Sequence, residues 1–206
     1  LLHSSYNIFR NNSLSGNLYN LEVSGGYVND IDISNTINEK PIHYLLDKAD
    51  LVIDSETFPN TGYLALINSN NITIENLILT DNGEGLLFAN TNCSRISANT
   101  LINNEVGVVL SGCNGNSILN NNMSGNGHSG LDLWYSNETM VCNNTIKLDG
   151  DIGVYLGISN RNSIIKNEIT GSMKGIFLSN FCDSNVISGN NFVNRFANIY
   201  LWFHCH

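Results

Sequence analysis

Ile96-Ser-Ala-Asn-Thr-Leu101, Ile118-Leu-Asn-Asn-Asn-Met123, Val141-Cys-Asn-Asn-Thr-Ile146 and Ile164-Ile-Lys-Asn-Glu-Ile169 are four copies of one template. Thr73-Ile-Glu-Asn-Leu-Ile78 and Ile187-Ser-Gly-Asn-Asn-Phe192 extend the series in both directions. Their fourth positions, Asn76, Asn99, Asn121, Asn144, Asn167 and Asn190, recur at a step of 22 or 23 residues. A second column keeps the same step: Gly85, Gly107, Gly130, Gly153, Gly175 and Asn198 each precede an apolar-x-apolar triplet such as Val108/Leu110 or Val154/Leu156. Two independent columns at one period mark a repeat architecture.

The alternation within each triplet is a strand signal, and a single short strand cannot bury its own apolar face. Coils stacked at the strand spacing of about 4.8 Å bring equivalent residues into ladders. An inward-facing Asn at a turn then bonds the backbone and the Asn above and below it, and a neighbouring Gly or Asn takes a left-handed corner. The fold expected is all-β, a right-handed parallel β-helix with coils of about 23 residues, forming one domain over 1–206. Residues 62–206 are read as regular coils and 24–61 as an inserted hairpin or enlarged coil. Coils begin at the first residues, since Asn7-Ile-Phe-Arg-Asn-Asn-Ser-Leu-Ser-Gly-Asn17 matches Asn116-Ser-Ile-Leu-Asn-Asn-Asn-Met-Ser-Gly-Asn126 nearly position for position.

Composition agrees. The chain holds 37 Asn among its 206 residues, a poor supply for helices and a rich one for turns. The 42% hydrophobic content excludes disorder. Nine basic residues against 18 acidic ones, with no basic run, argue against a nucleic-acid partner, which needs clustered cations to displace phosphate counterions. No apolar stretch is long enough to span a bilayer. Six N-x-Ser/Thr sequons, at Asn11, Asn71, Asn92, Asn122, Asn137 and Asn143, together with five Cys, point to an extracellular or cell-surface location.

The stretches Gly62-Tyr-Leu-Ala-Leu-Ile-Asn-Ser-Asn-Asn-Ile-Thr-Ile-Glu-Asn-Leu77 and Asn82-Gly-Glu-Gly-Leu-Leu-Phe-Ala-Asn-Thr91, following the 24–61 segment, resemble the NosD-like family of right-handed β-helix proteins. That family overlaps the carbohydrate-binding and sugar-hydrolase repeats of archaeal and bacterial envelope and secreted proteins. The resemblance covers nearly the whole chain and concerns the positions that build coils. The family name implies periplasmic copper binding. The soft and imidazole ligands, His3, His43, His128, Met123, Met140 and Met173, are scattered, and only His204-Cys205-His206 is compact, at a strand end. No metal and no cofactor are expected.

Many β-helix proteins of this shape act on acidic polysaccharides as hydrolases, lyases or epimerases. The carboxylates available for such work are Asp132, Asp149 and Asp151, although an Asp149-Gly-Asp151 turn is expected for backbone reasons alone. His128 lies in a turn, and neither an Asp-Asp pair nor a Gly-His-Gly signature is present. The middle residue of each triplet should face outward, giving the column Leu64, Leu87, Val109, Asp132, Tyr155, Phe177 and Tyr200, with Trp134 and Trp202 two places on. Aromatic rings along one face suit the apolar faces of pyranoses, while Asp and Asn bind hydroxyls; contiguous apolar columns also mark protein interfaces. The partner expected is a polysaccharide or cell-envelope glycan.

Cys182 and Cys205 each lie seven residues beyond the Gly/Asn column, so they should stack one coil apart, within disulfide reach. Cys93 and Cys113 are nearly equivalent, and Cys142 is expected free and buried. The repeat pattern runs to Ile199-Tyr-Leu-Trp-Phe203 with no cap in view, which suggests a stack continuing into further coils or, head to tail, into another subunit as a filament.

Overall fold

The repeat step becomes backbone pairing. In the computed structural model, which describes residues 3–147 and 149–205, equivalent residues of successive coils pair in parallel: Leu64 with Leu86, Leu86 with Val108, Val108 with Leu131 and Leu131 with Val154. The chain is an all-β solenoid, a right-handed parallel β-helix. Its longest face is a ten-stranded sheet whose strands Lys40–Leu46, Tyr63–Ile67, Glu84–Ala89, Val106–Ser111, Ser129–Trp134, Ile152–Gly157, Lys174–Ser179 and Ala197–Trp202 follow one another coil by coil. A seven-stranded sheet from Ala49–Ile53 to Val186–Ser188 forms the second face, and the third is made of short strands such as Thr100–Ile102 and Thr145–Lys147.

All three faces point a column of branched or aromatic side chains into one interior, including Leu66, Phe88, Ile74, Ile96, Leu79 and Leu101, each buried. Stacked amides line the corners. Asn99 Nδ2 donates to Asn121 Oδ1 (3.1 Å), Asn121 to Asn144 (3.1 Å) and Asn144 to Asn167 (3.0 Å), while their backbone N–H groups donate to the same oxygens. Each amide thus satisfies backbone groups of its own and neighbouring coils that burial would otherwise leave without partners.

Two sequence expectations are corrected here. Asn76 is not in the ladder: Thr73 pairs with Arg95, a step of 22, so Leu77 occupies the ladder position and its N–H bonds Asn99 Oδ1 (3.0 Å). Asn76 instead starts the left-handed corner column of Asn76, Ala98, Asn120, Asn143 and Lys166, with φ between 56° and 58°. The same register moves Leu64 into the core and puts Ala65 in the outward column. The glycine column exists for close approach and not for backbone freedom: a Cβ on Gly107 would lie 2.5 Å from the Gly130 carbonyl oxygen, and one on Gly153 2.7 Å from that of Gly175.

The N-terminal residues do carry coil-like pairing, Ile8 with Asp30 and Ser13 with Thr36, with an amide step from Asn12 to Asn35 Oδ1 (2.8 Å). They do not extend the stack. The chain reverses at Asn38-Glu39, both at positive φ (48° and 65°), in the two-residue geometry that suits a hairpin, and Thr36–Ile37 pairs antiparallel with the start of Lys40–Leu46. A hairpin therefore sits at residues 36–41, and Lys40–Ile53 already forms a coil, paired in parallel with Tyr63–Ile67 and Asn70–Glu75. Residues 3–37 fold back as a strap over the outer side of the ten-stranded sheet, where Val23, Ile31 and Ile37 form a second cluster with Tyr44, Ala65, Leu87 and Ala89. Phe58, in the loop after the first coil, packs on the main core and meets His43 edge-on (4.9 Å), closing the N-terminal end of the interior.

Candidate functional site

Beyond the strap, the outer column of the ten-stranded sheet reads Val109, Asp132, Tyr155, Phe177 and Tyr200, aligned by backbone register. Two residues further on, Trp134, Gly157, Ser179 and Trp202 form a parallel column. Gly157 is what lets Trp134 lie flat, because a Cβ there would meet the indole at 2.7 Å and Tyr155 at 2.9 Å. The rings pack on one another along the solenoid: Trp134 to Tyr155 at 4.8 Å, Tyr155 to Phe177 at 5.4 Å and Phe177 to Tyr200 at 5.3 Å between centroids. Phe177 stacks on Trp202 (6.0 Å, 14° between planes). The Lys174 ammonium lies over the rings of Phe177 and Tyr200 at 4.8 and 5.3 Å. Phe177 is the floor of this strip, 7% exposed, while the indoles of Trp134 (37%) and Trp202 (57%) are accessible.

The strip has a polar end. Asp132, 8% exposed, accepts a 2.5 Å hydrogen bond from Ser129 Oγ. Burial pushes its carboxyl up to about 6; the Ser129 bond and nearby His128 oppose that rise, and Glu105 adds to it. Glu105, His128 and Asp151 occupy one register position in three successive coils, linked by His128 N–H to Glu105 O and Asp151 N–H to His128 O. His128 Nδ1 lies 3.4 Å from Asp151 Oδ2. This acid-imidazole-acid column escaped the sequence reading, although the 23-residue step between its members would have shown it.

Asp149, expected among the candidate carboxylates, is placed elsewhere. It is fully buried in a second interior ladder, where Oδ1 accepts from the backbone N–H (2.8 Å) and side chain (3.2 Å) of Asn126. It stands where Asn104 and Asn126 stand in the coils before it. Burial pushes its carboxyl up to about 8 against those two bonds, and Oδ2 has no hydrogen-bond partner. A group facing the interior cannot share an outer-face site with Asp132, so Asp132 and exposed Asp151 remain as the carboxylates of that face.

The cysteines sort by ladder. Ser69, Thr91, Cys113, Ser136, Ser159 and Cys182 form an interior column in which each hydroxyl or thiol from Thr91 on accepts from the preceding coil's backbone N–H, as Cys113 N–H to Ser136 Oγ (3.1 Å) and Ser159 N–H to Cys182 Sγ (3.5 Å). Cys205 is 23 residues beyond Cys182 and interacts with its thiol; both are free thiols in this structure. Cys93 does not stack on Cys113, because Cys113 pairs with Thr91 inside while Cys93 faces out at a left-handed corner (φ 51°). Cys142 is a half-buried thiol on the second sheet, paired with Leu119 and Ile165, so the expectation of a buried residue fails. Among the sequons, Asn11, Asn71, Asn122 and Asn143 are exposed, whereas Asn92 and Asn137 are half-buried in an outer amide ladder with Asn114 and Asn160.

The profile of the NosD family, described as periplasmic copper-binding protein, matches residues 47–206. The chain is a member of the NosD family. The match starts inside the first coil, so the strap lies outside it. No curated protein matches this NosD-family chain. Among solved structures, the enzymatically active domain of tailspike protein 2 from bacteriophage CBA120 is similar at a TM-score of 0.50 and 11% identity, covering 93% of this chain and 42% of that one. The chain thus spans under half the length of that structure. The Streptococcus pneumoniae surface protein and adhesin PfbA (TM-score 0.42, 9% identity, 98% and 89% covered) and the periplasmic alginate epimerase AlgG (0.39, 12%, 93% and 72%) are also similar. At these identities the likeness concerns the fold.

The copper of the family name finds no matching donor set. Among the described residues no three His, Cys, Asp or Glu side chains converge to hold a metal ion. Met123 is buried in the core, His204 stacks on Phe181 (5.4 Å), Cys205 Sγ turns to the Trp202 carbonyl (3.2 Å), and His206 lies outside the described residues. Among the described residues no helix is long and apolar enough to cross a membrane.

Proposed function

We propose that this NosD-family chain is an extracellular or cell-surface β-helix module, structural and carbohydrate-binding, whose outer aromatic strip takes a polysaccharide or cell-envelope glycan. The observation that carries this reading is the unbroken run of Trp134, Tyr155, Phe177, Tyr200 and Trp202 along one rigid face, ending on the Asp132 carboxylate. Flat rings cover the C–H faces of pyranoses, and a partly desolvated carboxylate accepts hydroxyl hydrogen bonds. Exposed sequons on the corners suit a glycoprotein. Glycan-array binding that is lost in Tyr155→Ala and Trp202→Ala tests the reading; binding that survives both substitutions, or none at all, defeats it.

A second reading, a polysaccharide hydrolase, lyase or epimerase, is favoured by one observation: Asp132, held near 6 beside His128, is poised to exchange a proton close to neutral pH. Asp151, whose Oδ2 lies 3.4 Å from His128 Nδ1, is then the second carboxylate. Turnover of uronate polymers abolished in Asp132→Asn would establish it, and unchanged turnover would remove Asp132 from the chemistry.

Assembly by coil stacking belongs to the same proposal. Ile199, Leu201 and Phe203 of the last described coil are exposed, while Phe58 closes the other end of the interior. A head-to-tail filament therefore requires Phe58 to be displaced, and concentration-dependent light scattering, enhanced in Phe58→Ala, is its test.

A further inference from the structure

The strap and the aromatic strip share one sheet face, and their junction is sharply built. The strap forms a second layer on that face, with Val23, Ile31 and Ile37 packed over Ala65, Leu87 and Ala89 and with Val109 at the edge of the cluster. A layer resting on a sheet stands about 10 Å above it. Its edge is fixed by backbone bonds, Asn20 N–H to Asp81 O (2.9 Å) and Gly83 N–H to Leu21 O (2.8 Å). At Gly127 the Tyr19 hydroxyl sits so close that a Cβ there would lie 1.9 Å from it. The layer thus ends beside the coil that carries Asp132.

We infer that the strap makes the aromatic strip a blind groove, so that it takes the terminal sugar of a glycan chain at the Asp132 end and not an internal segment; this rests on the carbohydrate reading above. A polymer lying along the ring column meets the strap after Asp132, since no room for a continuing chain exists between two packed layers. The order of residues along the column fits that use. Past Val109, half-buried at the edge of the strap cluster, the column reads Asp132, 8% exposed with Glu105 and His128 alongside, and every later position is a ring. A chain terminus carries a hydroxyl that an internal sugar has spent in its linkage, and a carboxylate at the blind end accepts that hydroxyl. A site built on such a bond discriminates against ligands that lack the donor. Among the described residues no second layer stands over Tyr200 and Trp202, where Trp202 is 57% exposed.

The test uses hexasaccharides of β-1,4-linked glucose, N-acetylglucosamine and mannose, each free, capped with a bulky aryl group at the reducing end, or capped at the non-reducing end. One cap should weaken binding at least tenfold, about 1.4 kcal/mol, and the other less than about twofold. The penalty should vanish in Val23→Asp, which puts a carboxylate into the strap interface beside Glu84 and releases the strap, as hydrogen exchange over residues 3–37 would show. Equal tolerance of both caps, equal sensitivity to both, or a penalty that persists with the strap released, in a protein whose binding still depends on Tyr155, overturns end recognition and leaves the carbohydrate reading standing. Absence of binding to every ligand overturns both.

Discussion

One sheet face carries two solutions to the same problem. In the first coils its outer column is Tyr44, Ala65 and Leu87, and the strap covers it; in the later coils the column is Asp132, Tyr155, Phe177 and Tyr200, and among the described residues no second layer lies over it. The backbone register is the same in both halves, so the difference lies in the side chains. In the covered half the strap fills the surface between Tyr44, Ala65, Leu87 and Ala89, and even buries a carboxylate, Glu84, which accepts from Tyr63 Oη (2.9 Å) and Val23 N–H (3.0 Å). Rings instead fill the surface by packing on each other, which hides Phe177 while leaving the indoles accessible. A parallel β-helix can therefore place a covered wall and an open aromatic face on one sheet through the outward residues of its coils.

Truncating an aromatic ring should cost most where the face is covered. Tyr63→Ala removes a fully buried ring and leaves Glu84 without its hydroxyl partner, with an expected loss of about 3–5 kcal/mol by chemical denaturation. A loss under about 1 kcal/mol would mean that the strap is not packed as described.

Acidity separates the two halves next. Burial pushes both Glu84, in the covered half, and Asp149, beneath the open half, up to about 8. Unfolded carboxyls lose their protons near pH 4, so across the window from about 4 to about 8 the folded chain holds protons that the unfolded chain has released. Stability should fall as pH rises through that window and level off above it. Asp149→Asn restores an amide to the ladder and should remove part of the slope, stabilising the protein by about 1–3 kcal/mol at pH 7. Glu84→Gln should flatten the same slope, with hydrogen-exchange protection recovered in the strap and not in the later coils. A pH-independent melting temperature in the unsubstituted protein would contradict both.

The open half should tolerate what the covered half does not. Trp202→Ala is expected to change stability by no more than about 1 kcal/mol, because the indole is largely exposed, while glycan affinity falls at least tenfold. Equal losses in stability and binding would make Trp202 a packing residue. The smallest effect is expected at the corners: Ala98 is left-handed (φ 57°) where its column neighbours Asn76, Asn120 and Asn143 carry the residue type that accepts this backbone, so Ala98→Asn should add up to about 1 kcal/mol. A destabilised Ala98→Asn would show that the corner packs against the methyl group.

The solenoid was legible because its determinants are periodic. Asn99, Asn121, Asn144 and Asn167 and the glycines recur at the coil step, and a residue required by its stacked neighbours repeats with them. The outward aromatic column was readable for the same reason, apart from the one-residue shift that put Leu64 in place of Ala65, a slip that a 22-residue coil produces when a step of 23 is assumed. The column of Ser, Thr and Cys from Ser69 to Cys182 obeys the same period, and small polar residues of mixed type hid it. The strap was not legible. Ile8-Phe9 and Ser13-Leu14 pair at the coil step like the true coils, and what sends residues 3–37 sideways is the two-residue turn at Asn38-Glu39, whose consequence depends on tertiary packing. Asp149 looked like a turn carboxylate because Asp and Asn are interchangeable in turns; its burial emerges only from the ladder that surrounds it.

The coil-to-coil pairing on all three faces also has a mechanical meaning. Every backbone hydrogen bond between coils runs along the solenoid axis, so tension applied evenly along that axis loads the bonds of the three faces and the corner amides together, and the rod resists as a unit. A pull on one chain terminus concentrates the same force on a single coil, whose bonds part in sequence around its perimeter. The same protein is thus stiff when gripped across its end and peels turn by turn when gripped by its tail.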